Sequence, residues 1–206
     1  MTAIRAKVVV ATRNAHKVRE IAALFEDEGV RLQLVPIDDM APTAELREDE
    51  DTFTGNAFAK ARQAAAATGC PALADDSGIE VDALGGAPGV WSARYAGVPC
   101  DDARNNEKLL RELAGIPPDR RGARYQCAAV YVDRARGIDL VRTGTCAARV
   151  LEAPRGTGGF GYDPLMLIEP LAKTMAEISL AEKNRLSHRA LAFRALASAL
   201  RARAIG

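Results

Sequence analysis

Asp75 and Asp76 stand side by side at the end of an apolar run, with Ser77 and Gly78 directly after them, in LADDSGIEVDALGGAPGVWSARYAG from Leu73 to Gly97. Successive side chains of an extended chain point to opposite faces, so only one of the two carboxylates can face a given cleft. The other is expected to make local hydrogen bonds or to cap a turn. A carboxylate at a strand end, flanked by Ser and Gly, suits Mg2+ ligation beside phosphate oxygens. An Asx-type turn, common for Asp-Ser-Gly, is the alternative use of the same residues.

A second candidate is VVVATRNAHK. Here a strand runs into a short loop and then into a helix N-terminus, whose first N–H groups are unpaired and carry partial positive charge. Thr12 and Asn14 add side-chain donors and Lys17 adds a point charge, which together make a seat for phosphate. A capped helix with a solvated lysine would use the same residues, and the P-loop spacing is absent. A third stretch, GTGGFG at 156–161, satisfies the dinucleotide fingerprint letter for letter. That fingerprint must open a helix, whereas Tyr162, Asp163 and Pro164 follow here. The expectation is a loop presenting Phe160 and Asp163 to a ligand, or else a turn with Phe160 in the core. In EKNRLSHRA, Lys183, His188 and Arg189 gather around a helix start; a solvated basic turn is the default reading. In ELREDEDTFTGNAFAKA, Glu48 precedes a helix that carries Asn56 and Lys60. Taken together, these residues supply carboxylates for a metal, several cations, a phosphate seat and an aromatic platform. Such a set would bind a nucleoside triphosphate.

The elements that must position them alternate between strand and helix. Lys7 to Ala11 reads as a buried strand and Ala15 to Glu28 as a helix, with Val18, Ile21, Leu24 and Phe25 at helical spacing. Arg31 to Ile37 reads as a second strand, and an alanine-rich helix spans Thr52 to Thr68. PALAD is a strand that IEVDAL extends or pairs with. A helix follows over Asp101 to Gly115, with Leu109, Leu110 and Leu113 inward. RYQCAAVYV and Ile138 to Val150 form neighbouring antiparallel strands joined through DRARG. LMLI is a short strand, and Ser179 to Glu182 has capping-box spacing. A last helix runs from Ser187 to Arg203, with Leu191, Ala195, Leu196 and Leu200 buried. The pattern is an α/β domain with a mixed sheet.

The chain has 206 residues, 48% of them hydrophobic, which supports one domain, of one or two lobes, with a real core. With 28 basic and 27 acidic side chains the net charge is +1, which gives no long-range pull on nucleic acid or an anionic membrane. The apolar run near the start is too short for a signal peptide, and no stretch reaches the length of a membrane span. The four cysteines form no C-x-x-C pair and read as reduced thiols of a cytoplasmic protein. With only two histidines, any metal should be a hard ion on carboxylates and water rather than zinc.

ATRNAHKVRE, NAFAKARQAA, LADDSGIEVDALGGAPGVWSARYAG, PRGTGGFGYDP and MAEISLAEKNRLSHRALA occur in this order between residues 11 and 192. In these blocks the chain resembles the inosine triphosphate pyrophosphatases, also called XTP/dITP diphosphatases. The resemblance implies one two-lobed α/β domain over residues 1–206, with a long central mixed sheet flanked by helices, a cleft between the lobes, and a homodimer. It implies Mg2+-dependent hydrolysis of ITP, dITP and XTP to the monophosphate and pyrophosphate, by water attack at the α-phosphorus.

By position, the phosphate loop would be Thr12, Arg13, Asn14, Ala15, His16 and Lys17. Glu48 and Asp76 would hold the metal, with Asp76 also the general base. Lys60 and Ser77 would touch the triphosphate or ribose. Phe160, Gly161, Tyr162 and Asp163 would frame the base, and Lys183, His188 and Arg189 would complete its pocket. Two positions depart from the pattern: Gly55 stands where relatives often carry Glu, and Trp91 where Tyr is usual, for which only a packing change is expected. A pyrophosphatase for modified pyrimidine or methylated nucleotides and a non-cleaving nucleotide sensor are the rival readings.

Overall fold

The computed structural model describes residues 6–13 and 15–205. The strands are β1 (Ala6–Val10), β2 (Leu32–Pro36), β3 (Ala72–Val81), β4 (Gly122–Asp133), β5 (Ile138–Val150), β6 (Met166–Ile168) and β7 (Lys173–Thr174). The helices are α1 (Ala15–Asp27), α2 (Phe53–Thr68), α3 (Asp102–Glu112), α4 (Leu180–Leu186) and α5 (His188–Arg201). Among the described residues the strands form a seven-stranded sheet in the order β2-β1-β3-β4-β5-β6-β7. β1 is parallel to β2 and to β3, whereas β6 is antiparallel to β5 and to β7, so the sheet is mixed.

The chain divides into two compact units. The first comprises Met1–Asp76, Cys127–Gly144 and Arg189–Gly206; the second comprises Ser77–Gln126 and Thr145–His188. In the first unit, Val8, Val9 and Val10 are all buried, as expected for a parallel strand covered on both faces. Val8 and Val10 pack with Val18, Ile21, Leu24 and Phe25 of α1 and with Phe193, Leu196 and Leu200 of α5. Val9 packs the other way, against Ala57, Ala61, Ala64 and Ala65 of α2. The alanine stripe lets α2 lie close to the strands. Thr52 caps its start by accepting from Gly55 N–H at 3.0 Å, and Gly69, with φ of 69°, ends it.

The stripe on α5 keeps the expected Leu196 and Leu200 but not Leu191 and Ala195. Leu191 is exposed and Ala195 half-buried, while Ala192, Phe193, Leu196, Ala197 and Leu200 face inward. Phe193 joins that stripe, its ring meeting Phe25 at 6.1 Å between centroids.

The second unit has its own core, in which Ile79, Val81, Leu109, Leu113, Val150, Leu165 and Met166 are buried. β3 enters it through a tight passage. Ser92 Oγ accepts from Ile79 N–H at 2.9 Å and donates to Gly89 O at 2.6 Å. A Cβ on Gly78 would come within 2.7 Å of the Gly89 carbonyl oxygen. Gly78→Ala is therefore expected to destabilise the protein by about 1–3 kcal/mol through overpacking against backbone. A lowered urea midpoint at unchanged m would show this.

Candidate functional site

β3 delivers the two carboxylates. Leu73 belongs to the core shared with α1 and α5, while Ala72 and Ala74 belong to the core shared with α2. By the same alternation Asp75 faces α1 and α5, and Asp76 faces α2. Both are buried, at 4% and 9% exposure.

Asp75 is expected from the sequence to make local hydrogen bonds or to cap a turn; its partners instead lie far along the chain. Both its oxygens accept from Lys17 Nζ, at 3.2 and 3.3 Å, and Oδ2 also accepts from Arg189 Nε at 3.3 Å. Arg189 in turn lies 3.6 Å from Glu20. Burial opposes the Asp75 charge, but Lys17, Arg189 and Lys60 outweigh it and hold the carboxyl well below the usual range.

Asp76 has a different setting. Its Oδ2 accepts from Asn56 Nδ2 at 3.0 Å, and its Oδ1 lies 3.9 Å from Lys60 Nζ, which also donates to Glu48. Asn56 and Lys60 are four residues apart and share one face of α2. The Asn56 amide cannot turn over without loss, because its Oδ1 accepts from Glu50 N–H at 2.9 Å. Burial raises the Asp76 pKa; Lys60 and the Asn56 hydrogen bond lower it, and Glu48 and Asp75 push it back up, leaving it above its ordinary value. Gly55 contributes to this arrangement. A Cβ there would lie 2.8 Å from Glu50 Cβ, so the glycine lets the Glu50 segment rest on the first turn of α2.

The donor set suits a hard cation. Glu48 and Asp76 converge on one ammonium, and among the described residues no larger group of acidic, His or Cys side chains gathers. Two carboxylates without a protein cage is the pattern of Mg2+ bound together with water and substrate phosphates.

The expected phosphate loop is partly visible. Thr12 is half-buried between β1 and α1. Arg13 is tied to the 38–44 segment through Asp38 at 3.1 Å and Ala44 O at 3.0 Å. Ala15 and His16 open α1 in backbone. Asn14, and the side chains of Ala15 and His16, lie outside the described residues.

The second unit holds the other expected residues except Arg189, which the structure brings to Asp75 instead. Ser77 follows Asp76 on β3. Asp163, 3% exposed, accepts from Tyr125 Oη at 2.7 Å, Lys183 Nζ at 2.7 Å and Phe160 N–H at 3.0 Å. Lys183 Nζ also lies 4.8 Å from the centre of the ring of Phe160, a residue that is 56% exposed. Tyr162 turns inward and donates from its hydroxyl to Ser92 O at 2.8 Å, so its ring belongs to the core. The His188 ring stacks on Tyr125, with centroids 4.8 Å apart and planes 9° from parallel. Trp91 is exposed rather than packed, with the Arg94 guanidinium 4.5 Å from its ring centre. Sequence reasoning missed Tyr125, whose only signal was an aromatic at an inward position of β4. It also gave Asn56 no role, although Asn56 precedes Lys60 by one helical turn.

Fold and site together define a mixed-sheet α/β protein with a carboxylate–lysine centre in one unit and an aromatic–lysine set in the other. The chain belongs to the Ham1 family, whose profile matches residues 8–199. It is 49% identical over 186 residues to a dITP/XTP pyrophosphatase of Geobacillus kaustophilus, covering 90% of each chain. It is 45% identical over 196 residues to the dITP/XTP pyrophosphatase of Escherichia coli K12, covering 95% of this chain and 98% of that one. The solved HAM1 protein from Coxiella burnetii superposes with a TM-score of 0.88 at 35% identity, covering 96% of this chain and 99% of that one.

Proposed function

We propose that this chain is a nucleoside triphosphate pyrophosphatase that hydrolyses dITP, XTP and ITP to the monophosphate and pyrophosphate. The observation that carries this reading is the sorting of the two adjacent carboxylates. Asp75 is neutralised by Lys17 and Arg189, while Asp76 keeps a raised pKa beside Lys60 and Glu48. A carboxylate made more basic by burial is suited to take a proton from water. Asn56 holds Oδ2 of Asp76, and Oδ1, on the Lys60 side, would receive that proton as water attacks the α-phosphorus. Lys60 and Lys17 offset the charge of the departing pyrophosphate, and the first turn of α1 offers N–H groups to its oxygens. Glu48 and Asp76 would hold Mg2+, which when bound neutralises phosphate charge and favours ionisation of water.

The second unit is assigned the purine. Phe160 offers a ring face, and Lys183 and His188 offer donors to a 6-oxo group. Adenine would set its 6-amino donor against them, at a cost of roughly 1–3 kcal/mol per unpaired group, or about 10- to 100-fold in kcat/KM. A homodimer and a cytoplasmic location belong to the same proposal; among the described residues no helix is long and apolar enough to cross a membrane. Pyrophosphate release from ITP, XTP, ATP, GTP and a modified pyrimidine triphosphate tests the reading. We expect ITP and XTP to exceed ATP by at least that factor. Equal use of all five would defeat it, and so would release of orthophosphate in place of pyrophosphate.

A further inference from the structure

Phe160 is more than half exposed, yet its backbone N–H and carbonyl are both hydrogen-bonded. Gly161, with φ of 60°, is gripped from α3. Its N–H donates to Asp102 Oδ2 at 2.7 Å, and its carbonyl accepts from Asn106 Nδ2 at 2.8 Å. Asp102 and Asn106 are four residues apart, so they lie one above the other on one helix face. Between them they fix both peptide planes flanking Gly161. On the far side, Phe160 N–H donates to Asp163, and Asp163 N–H returns to Phe160 O at 3.2 Å.

The helix that applies this grip is itself anchored. Asp101 caps it by accepting from Arg104 N–H at 2.9 Å. The buried Asn105 accepts from Ala96 N–H at 2.7 Å and donates to Ala93 O at 3.0 Å. Leu109 and Leu113 are fully buried in the core of the second unit. Ordering a loop this tightly costs conformational entropy, and a residue left 56% exposed recovers only part of that cost by burial. A ring kept in place while facing solvent is suited to stack on a flat ligand without further ordering.

We propose that Asp102 and Asn106 are positioning residues that preset the Phe160 ring as the platform for the purine. This rests on the reading of the second unit given above. Neither residue needs to touch the nucleotide; they act through the Gly161 backbone. Asn106→Ala should raise KM for ITP about tenfold while kcat changes less than about threefold, the pattern of lost uniform binding. Inorganic tripolyphosphate, which has no base, should inhibit the variant as well as it inhibits the wild type. Asp102→Asn should bind ITP almost normally, because its amide oxygen still accepts from Gly161 N–H, whereas Asp102→Ala should follow Asn106→Ala.

These comparisons separate the clamp from simpler roles. If Asp102 merely favours the α3 dipole, Asn and Ala at that position will be equally harmful. If Asn106 is merely structural, the tripolyphosphate inhibition constant will rise together with KM. Either result overturns the proposal, as does an unchanged KM in Asn106→Ala. A wild type that treats ITP and ATP alike would instead sink the assignment of the purine to this unit, and this inference with it.

Discussion

Asp76→Asn keeps the fold and loses turnover by about 10²- to 10⁴-fold, the usual worth of a positioned proton acceptor. The substitution is nearly isosteric, and its amide oxygen can still accept from Asn56 Nδ2, now at 3.0 Å from the carboxylate. On the other side the new NH2 group faces Lys60, donor against donor, and neither accepts a proton from water. A coupled pyrophosphate assay on ITP measures the loss, and a thermal melt close to that of the wild type shows that it is chemical. Turnover within a few-fold of wild type would remove Asp76 from the reaction.

Asp75→Asn should do the opposite kind of damage, harming the fold first. The Arg189 side chain is 7% exposed and Lys17 24%, and both point at the Asp75 carboxylate. Removing one partner of a buried ion cluster leaves uncompensated charge and costs roughly 3–5 kcal/mol. In a chain of this size that is a fall in Tm of roughly 10 °C.

The sign with pH follows from the depressed pKa. Asp75 titrates lower in the folded chain than its ordinary 3.8, so the cluster stabilises fully above that value and the benefit drains away as pH falls below it. Melts from about pH 7 down to about pH 3 should therefore slope more steeply for the wild type than for Asp75→Asn. Parallel curves would mean that the cluster contributes nothing to stability.

Much of this was legible because strands and helices have fixed periods. The valines of β1, the stripe of α1 and the alanines of α2 announced their elements. The alternation rule alone placed Asp75 and Asp76 on opposite faces. It could not say what each would meet, since Lys17 and Arg189 reach Asp75 from 58 and 114 residues away. His188 and Arg189 looked like one basic turn. Ser187, with extended φ and ψ, closes α4 just before them. Neighbours on the new helix then point about 100° apart, one to Tyr125 and the other to Asp75. The inward turn of Tyr162 was hidden for a similar reason, because its partner, the Ser92 carbonyl, is a backbone atom and leaves no trace in side-chain chemistry. The grip on Gly161 comes from the polar face of α3, whereas the sequence pattern of that helix speaks only through its leucines.

The chain passes between the units four times, after Asp76, Gln126, Gly144 and His188, and the last passage leads into α5. During synthesis, therefore, everything the second unit requires has emerged before the last helix is made. Val8 and Val10 of β1 and the apolar side of α1, translated first, must wait for Phe193, Leu196 and Leu200, translated almost last. Such late closure slows folding and leaves sticky surface open on the ribosome. A stop codon in place of residue 189 should thus yield an aggregating product, even though Glu48, Lys60, Asp76 and the whole purine-assigned unit would already be present.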